Sequence, residues 1–218
     1  MTTIAPPKLM ETLADLVERL GGVPLSRIRL KPAPGTATEA DVISIAAHED
    51  RLCELVDGVL VEKPMGYEES LIAVAIIRIV STFVHLGRLG KVTGADGMLK
   101  LFPGLIRIPD VAFVTQVRYR AAKVRGVAVP LLVPDLVVEV LSAGNTRKEM
   151  LIKRGEYFSA GVRLVWMVDP KTRTVEVYKS PDDSITLTGD RAIDGGDVLP
   201  GFSMSLHEIF AELDDDQS

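Results

Sequence analysis

Pro134-Asp135-Leu136-Val137-Val138-Glu139-Val140-Leu141-Ser142 is an apolar run, rich in β-branched residues, interrupted internally only by Glu139. Such a run predicts a strand buried on both faces. A carboxylate in that setting is costly unless it is paired, protonated or bound to a cation, so Glu139 needs a partner that its apolar neighbours do not supply. Upstream, Arg107-Ile-Pro-Asp-Val-Ala-Phe-Val114 repeats the anomaly, with Asp110 at the mouth of a second apolar run behind a proline that has no N–H for a ladder. Two acids at the ends of buried strands point to one shared site.

Downstream of Ser142, a Ser-Ala-Gly-Asn turn leads to Thr146 and Glu149, whose spacing is a capping-box signal for a helix reaching Ala160 and ending at Gly161. Met150, Lys153, Tyr157 and Ala160 fall on one face of that helix, so Lys153 sits among residues expected to look inward, where its amine can reach back toward the sheet. Val162–Val168 reads as another buried strand. Asp169-Pro170 then turns the chain into strands at Thr174–Lys179 and Ser184–Thr188, and a short last helix is expected near Leu206–Leu213.

Toward the N-terminus, Gln116–Val133 has no clear period and reads as an extended, basic loop. Strands at Lys91–Thr93, Met98–Phe102 and Leu105–Val114 predict a β-meander, and Glu68–Leu89 a long core helix. Leu52–Val56 and Val59–Lys63 flank Asp57-Gly58, a two-residue hairpin signal, with Glu54 and Glu62 on the strands. An amphipathic helix over Lys8–Leu20 stops at Gly21-Gly22, Pro24–Thr38 reads as a connector, and Glu39–Ala47 as one or two helical turns.

At 218 residues, 47% hydrophobic and 25% charged, the chain has the composition of one soluble globular domain with a short N-terminal addition. No run reaches the roughly 18 consecutive apolar residues of a membrane span, and no secretory signal is apparent, so the expectation is a cytoplasmic protein without a membrane partner. The lone Cys53 and the scattered His48, His85 and His207 argue against zinc or thiol chemistry. A net charge of −5 argues against indiscriminate coating of nucleic acid. Basic charge is nonetheless concentrated at Arg118, Arg120, Lys123 and Arg125 and again over Arg147, Lys148, Lys153 and Arg154, whereas Asp214–Asp216 form an acidic tail.

Asp110, Glu139 and Lys153, with Glu54 upstream, have the chemistry of a metal-dependent phosphodiesterase. Hard divalent cations are held by carboxylate oxygens, and a lysine adds a point charge beside the attacking water. Five segments carry a resemblance over roughly residues 50 to 210. They are Glu54-Leu-Val-Asp-Gly, Arg107-Ile-Pro-Asp-Val, Pro134 to Ser142, Lys153-Arg-Gly-Glu-Tyr and Gly161-Val-Arg-Leu-Val-Trp-Met-Val-Asp-Pro. Together they resemble the PD-(D/E)xK nuclease superfamily, and in particular its bacterial "putative restriction endonuclease" family.

The resemblance implies an α/β (α+β) restriction-endonuclease-like core, a central mixed β-sheet flanked by helices, spanning residues 39–213. An N-terminal helix and linker (1–38) would precede it and an acidic tail (214–218) follow. It implies Asp110, Glu139 and Glu54 as ligands of Mg²⁺, with Mn²⁺ as a substitute, Lys153 as the catalytic lysine, and DNA as the partner of a Mg²⁺-dependent endonuclease. A two-fold homodimer would match duplex symmetry, and the basic residues Arg118, Arg120, Lys123 and Arg125 would touch the phosphates. Two positions depart from the usual pattern. Leu141 stands where the superfamily lysine is usual, so the lysine must come from the following helix, four residues before Tyr157; and Val59 stands where many relatives carry an acid.

Each residue also has a plainer reading: Asp110 as a turn cap, Glu139 paired with an arginine such as Arg163, Lys153 and Glu54 as surface groups. A non-catalytic nucleic-acid-binding module on the same scaffold, or hydrolysis of RNA, are the competing functions.

Overall fold

The structure is a computed structural model describing residues 12–49, 51–64 and 66–214. Two sheets organise it. The larger has six strands in the order β10-β9-β8-β7-β6-β3, built from β3 (Gly90–Thr93), β6 (Val111–Thr115), β7 (Leu136–Val140), β8 (Leu164–Asp169), β9 (Thr174–Tyr178) and β10 (Ser184–Leu187). All its pairings are antiparallel except β7 with β8, which are parallel because α5 (Arg147–Ala160) carries the chain between them. The smaller sheet has the order β2-β1-β5-β4, from β1 (Cys53–Val56), β2 (Val59–Glu62), β4 (Leu99–Phe102) and β5 (Leu105–Arg107). A separate hairpin pairs β11 (Ala192–Gly195) with β12 (Leu199–Ser205).

Period-two alternation sorts the large sheet's side chains. Phe113, Leu136, Val138 and Trp166 face α3 (Tyr67–Gly87) and the α6 helix (Leu206–Phe210), where Trp166 stacks on Phe202 of β12. Val114, Val137, Val165 and Met167 face the other way, onto Met150 and Tyr157 of α5 and onto the inner face of the small sheet. The outer face of the small sheet, with Leu55, Leu60 and Ile106, is covered by Val42 and Ile45 of α2 (Glu39–His48). By length and composition α3 would suffice to cross a membrane. Its Ile72, Ile76, Val80 and Val84 are instead buried against the large sheet, the packing of a core helix.

The mixed sheet flanked by helices, the Asp57-Gly58 hairpin, the capped α5 and the buried β7 and β8 are as the sequence predicts. Asp57 (φ 48°) and Gly58 (φ 77°) both take the left-handed conformation that a tight hairpin requires. The β-meander is not formed. β3 pairs with β6, twenty residues on, while β4 and β5 pair with each other and join the small sheet.

The predicted strand Leu105–Val114 is two strands, because Pro109 has no N–H to continue a ladder and the chain passes there from the small sheet to the large one. The expected loop after Thr115 contains a short helix, α4 (Gln116–Ala121). β11 and β12 have no counterpart in the sequence reading.

The N-terminal segment is seated on the rest of the chain. α1 (Leu13–Arg19) is the described part of the helix expected over Lys8–Leu20; residues 8–11 lie outside the described residues, as do 215–218 of the acidic tail. Leu16, Leu20 and Val23 join the core beneath the small sheet. Arg27, in a 3-10 turn at Leu25–Arg27, donates to both carboxylate oxygens of Glu149 at 2.8 and 3.0 Å. Gly21 lies against the first turn of α5. It has φ +80°, and a Cβ there would come within 2.6 Å of the Glu149 backbone nitrogen. Gly21→Ala is therefore expected to cost about 1–3 kcal/mol through combined strain and clash. Urea unfolding measures it, and an unchanged midpoint would contradict this seating of the segment.

Candidate active site

The site forms where the small sheet, the carboxyl end of β7 and the inner face of α5 meet. Glu54 of β1 and Arg107 of β5 lie on the same inward face as Val56 and Leu105, so both point between the sheets. Glu54 is fully buried. Its Oε2 accepts from Arg107 Nη1 at 2.7 Å, and its Oε1 accepts from the Ile108 backbone N–H at 3.1 Å and from Lys153 Nζ at 3.0 Å. Arg107 also donates to Glu156 of α5.

Lys153, 1% exposed, extends from α5 between two carboxylates, with Glu139 Oε1 at 3.4 Å on its other side. Tyr157, one turn on along α5, donates its hydroxyl to the same Glu139 oxygen. Glu139 Oε2 accepts no hydrogen bond from the described residues.

Asp110 is fixed by the β6–β7 ladder. Its backbone N–H donates to Val138 O, and its Oδ2 accepts from the Val140 N–H at 2.7 Å. Its Oδ1 is paired with Lys63 Nζ at 2.8 Å, and the Lys63 side chain, just beyond β2, is only 4% exposed and also donates to Ala95 O. The Asp110 side chain keeps partial exposure, 14%, so the cluster opens to solvent on its side.

The electrostatics follow from burial and pairing. Burial acts most strongly on Glu54 and would raise its pKa, but Lys153 and Arg107 together outweigh it and hold the carboxyl at about 2. Burial likewise dominates at Glu139 and raises its pKa, helped by the neighbouring charges of Asp110 and Glu54 and opposed by Lys153. For Lys153 burial would lower the pKa, yet the Glu139 and Glu54 carboxylates overcome it and raise it, so the side chain stays an ammonium. Burial, then the Glu139 charge, pushes the Tyr157 phenol well up, which keeps it a hydrogen-bond donor.

Glu54, Glu139 and Lys153 thus converge in one buried network, with Asp110 beside Glu139. Lys153 is not a surface lysine. Glu139 does not pair with Arg163, which faces Asp135 and the Asp197 carbonyl. Among the described residues no group of three His, Cys, Asp or Glu side chains is arranged to hold a metal ion. Both oxygens of Glu54 are engaged by buried donors, and both oxygens of Asp110 are engaged as well, by Lys63 and by the Val140 N–H.

Arg107, Tyr157 and Lys63 are members of the cluster that sequence reasoning did not assign to it. The first two lie in motifs already conspicuous, whereas Lys63 is an ordinary lysine after a strand and nothing in its context marks it. In the basic segment, Arg118 folds back to donate to the carbonyls of Val133, Pro134 and Gly161 and pairs with Asp135. Arg120, Lys123 and Arg125 are exposed and have no carboxylate partner among the described residues.

A central mixed sheet flanked by helices, with an N-terminal helical extension, is the restriction-endonuclease-like fold. Over residues 39–207 the chain matches the Uma2 family, described as "Putative restriction endonuclease", and it belongs to that family. No curated protein matches it. Among solved structures it is similar to one described as "a putative nuclease belonging to DUF820 from Anabaena variabilis", with a TM-score of 0.67, 18% identity, and coverage of 75% of this chain and 92% of that one. At that identity the likeness establishes the fold.

The two buried glutamates have opposite linkage to pH. Because the Glu54 pKa is depressed, its stabilisation is fully present above its ordinary value of 4.5 and is lost as the pH falls toward about 2. The raised Glu139 costs stability once the pH rises through its ordinary range. At neutral pH, Glu54→Gln is expected to lose about 3–5 kcal/mol, since Lys153 and Arg107 are left buried without their shared counter-ion, whereas Glu139→Gln should lose little or gain. Denaturant unfolding of the two variants checks the contrast, and equal losses would contradict it.

Proposed function

We propose that the chain is a Mg²⁺-dependent DNA endonuclease of the variant type whose catalytic lysine comes from the helix after the central strand. One observation carries this reading: the Lys153 ammonium, buried between Glu54 and Glu139 at the end of β7. Asp110 and Glu139 would hold the cation. Mg²⁺ is commonly bound by one or two carboxylates, with water and substrate phosphate completing its shell, so two acids with a partly exposed side and an unengaged Glu139 Oε2 fit it. When bound, such a cation polarises a phosphoryl oxygen and activates water.

The chain's own residues do the rest. Lys153, kept as an ammonium, acts as a fixed positive charge toward the phosphate and not as a proton acceptor. Glu54, held by Arg107, fixes the lysine's direction, so we assign it as a positioning residue in place of a third ligand. Tyr157 orients Glu139 through its hydroxyl, and Lys63 holds Asp110. The competing reading, a non-catalytic nucleic-acid-binding module, is favoured by the pairing of Asp110 Oδ1 with Lys63 and by the lack of a three-ligand group among the described residues.

Glu139→Gln is expected to lose both Mn²⁺ binding and DNA cleavage with the fold retained. Lys153→Met should lower the single-turnover rate by at least about a hundredfold, as loss of one preorganised charge does, with metal affinity changed far less. Cleavage at the wild-type rate by either variant would refute the assignment, and the absence of any Mn²⁺ binding that depends on Asp110 and Glu139 would favour the binding module.

DNA contact by the basic segment is assigned to Arg120, Lys123 and Arg125, with Arg118 serving the fold. Replacing those three with alanine should weaken binding alike for different sequences and reduce the salt slope by about one per lost phosphate contact. Salt titrations that superimpose on the wild type would exclude the segment.

A further inference from the structure

A cavity of about 420 Å³ opens between α5 and the β8–β9 pair, at the carboxyl ends of the two parallel strands. It belongs to none of the groups assigned above, and its volume suits a small ligand. Arg147, Met150, Leu151 and Arg154 reach it at i, i+3, i+4 and i+7, a single stripe of α5 that borders the Lys153 face and shares Met150 with it. Its floor is apolar, made by Leu141, Met150 and Met167 with Tyr178. The Arg154 guanidinium lies over the Tyr178 ring, 4.3 Å from the centroid, and its Nε is buried without a hydrogen-bond partner.

Arg147 and Lys171 are exposed at the rim, and neither they nor Arg154 have a carboxylate partner among the described residues. The two acids that line the cavity are engaged from within the β8–β9 hairpin: Asp169 accepts from the backbone N–H groups of Lys171 and Thr172, and Glu176 accepts from the Tyr178 hydroxyl.

The cavity adjoins the cluster described above. Leu141 follows Glu139 by two residues on the same face of the β7 line, which separates them by about 7 Å. A flat cation stacked on an aromatic ring, above an apolar floor and beside two further cations, is what an unstacked nucleobase with its phosphate requires. Bases stack on guanidinium planes as well as on rings, and arginine and lysine take the phosphate. We propose that this cavity binds the nucleotide next to the bond being cut, its base on the Arg154 guanidinium and its phosphate on Arg147 and Lys171. The inference rests on the nuclease reading of Glu139, and it adds a subsite for an unstacked nucleotide of the DNA strand.

The test uses the full chain without divalent metal and 2′-deoxyadenosine 5′-monophosphate as the probe, titrated by calorimetry. Saturable binding in the millimolar range or tighter is expected, weakened about tenfold or more by Arg154→Met and by the paired exposed substitutions Arg147→Met and Lys171→Met. Deoxyadenosine, lacking the phosphate, should respond to Arg154→Met but not to the rim pair, and the mononucleotide should compete with a short single-stranded oligonucleotide.

No binding of the mononucleotide, or binding that the rim pair leaves unchanged, overturns the proposal. Binding that does not compete with the oligonucleotide overturns it too, since it would reassign the cavity to a free nucleotide. Should Arg154→Met fail to fold, the rim pair decides alone. Normal cleavage by Glu139→Gln would strike the assignment of Glu139 to the cleavage site instead, so the two failures are distinguishable.

Discussion

The carboxylate of Glu54 is buried where water cannot reach it, and two cations and a backbone N–H converge on it. An ionised group in that position is tolerable only with its partners in place, since several kcal/mol of desolvation per charge must be offset by pairing. Arg107 ties it to β5, the Ile108 N–H to the crossing between the two sheets, and Lys153 to α5. One side chain therefore fixes the small sheet against the central helix. The same contact directs the lysine toward Glu139 and keeps it charged. Stability and proposed chemistry are thus the same interaction.

The site sits at the point where antiparallel and parallel pairing meet in the large sheet. β6 delivers Asp110 and β7 delivers Glu139 from neighbouring strands, while the β7-α5-β8 crossover returns a helix over the face on which Glu139 projects. A capped helix begins there because Thr146 and Glu149 satisfy each other's first-turn groups, and Arg27 of the N-terminal segment holds Glu149 in turn. The added segment therefore supports the helix that carries Lys153.

Much of this was legible in the sequence. Glu139 stood out as a charge inside an apolar run, Lys153 as a cation on an inward helical face, and Asp57-Gly58 as a hairpin, because each breaks or sets a local period. What lay beyond the sequence was non-local or disguised. The pairing of β3 with β6 depends on which sheet each strand joins, and adjacency in the chain argued wrongly for a meander. β12 contains Pro200-Gly201, which reads as a turn although the strand tolerates it in a two-stranded hairpin. α4 has no apolar period because none of its residues is buried. Arg107 had no visible partner until β1 and β5 paired, and Lys63 meets Asp110 only through the approach of the two sheets.

A crystal of the full chain soaked in Mn²⁺, with the ion located by its anomalous scattering, addresses the central claim directly. The account predicts one Mn²⁺ bound by oxygens of Asp110 and Glu139, with the Lys153 ammonium still on Glu54 Oε1. A Mn²⁺ ligated by Glu54 with Lys153 displaced, or no ion at Asp110 and Glu139, would contradict it.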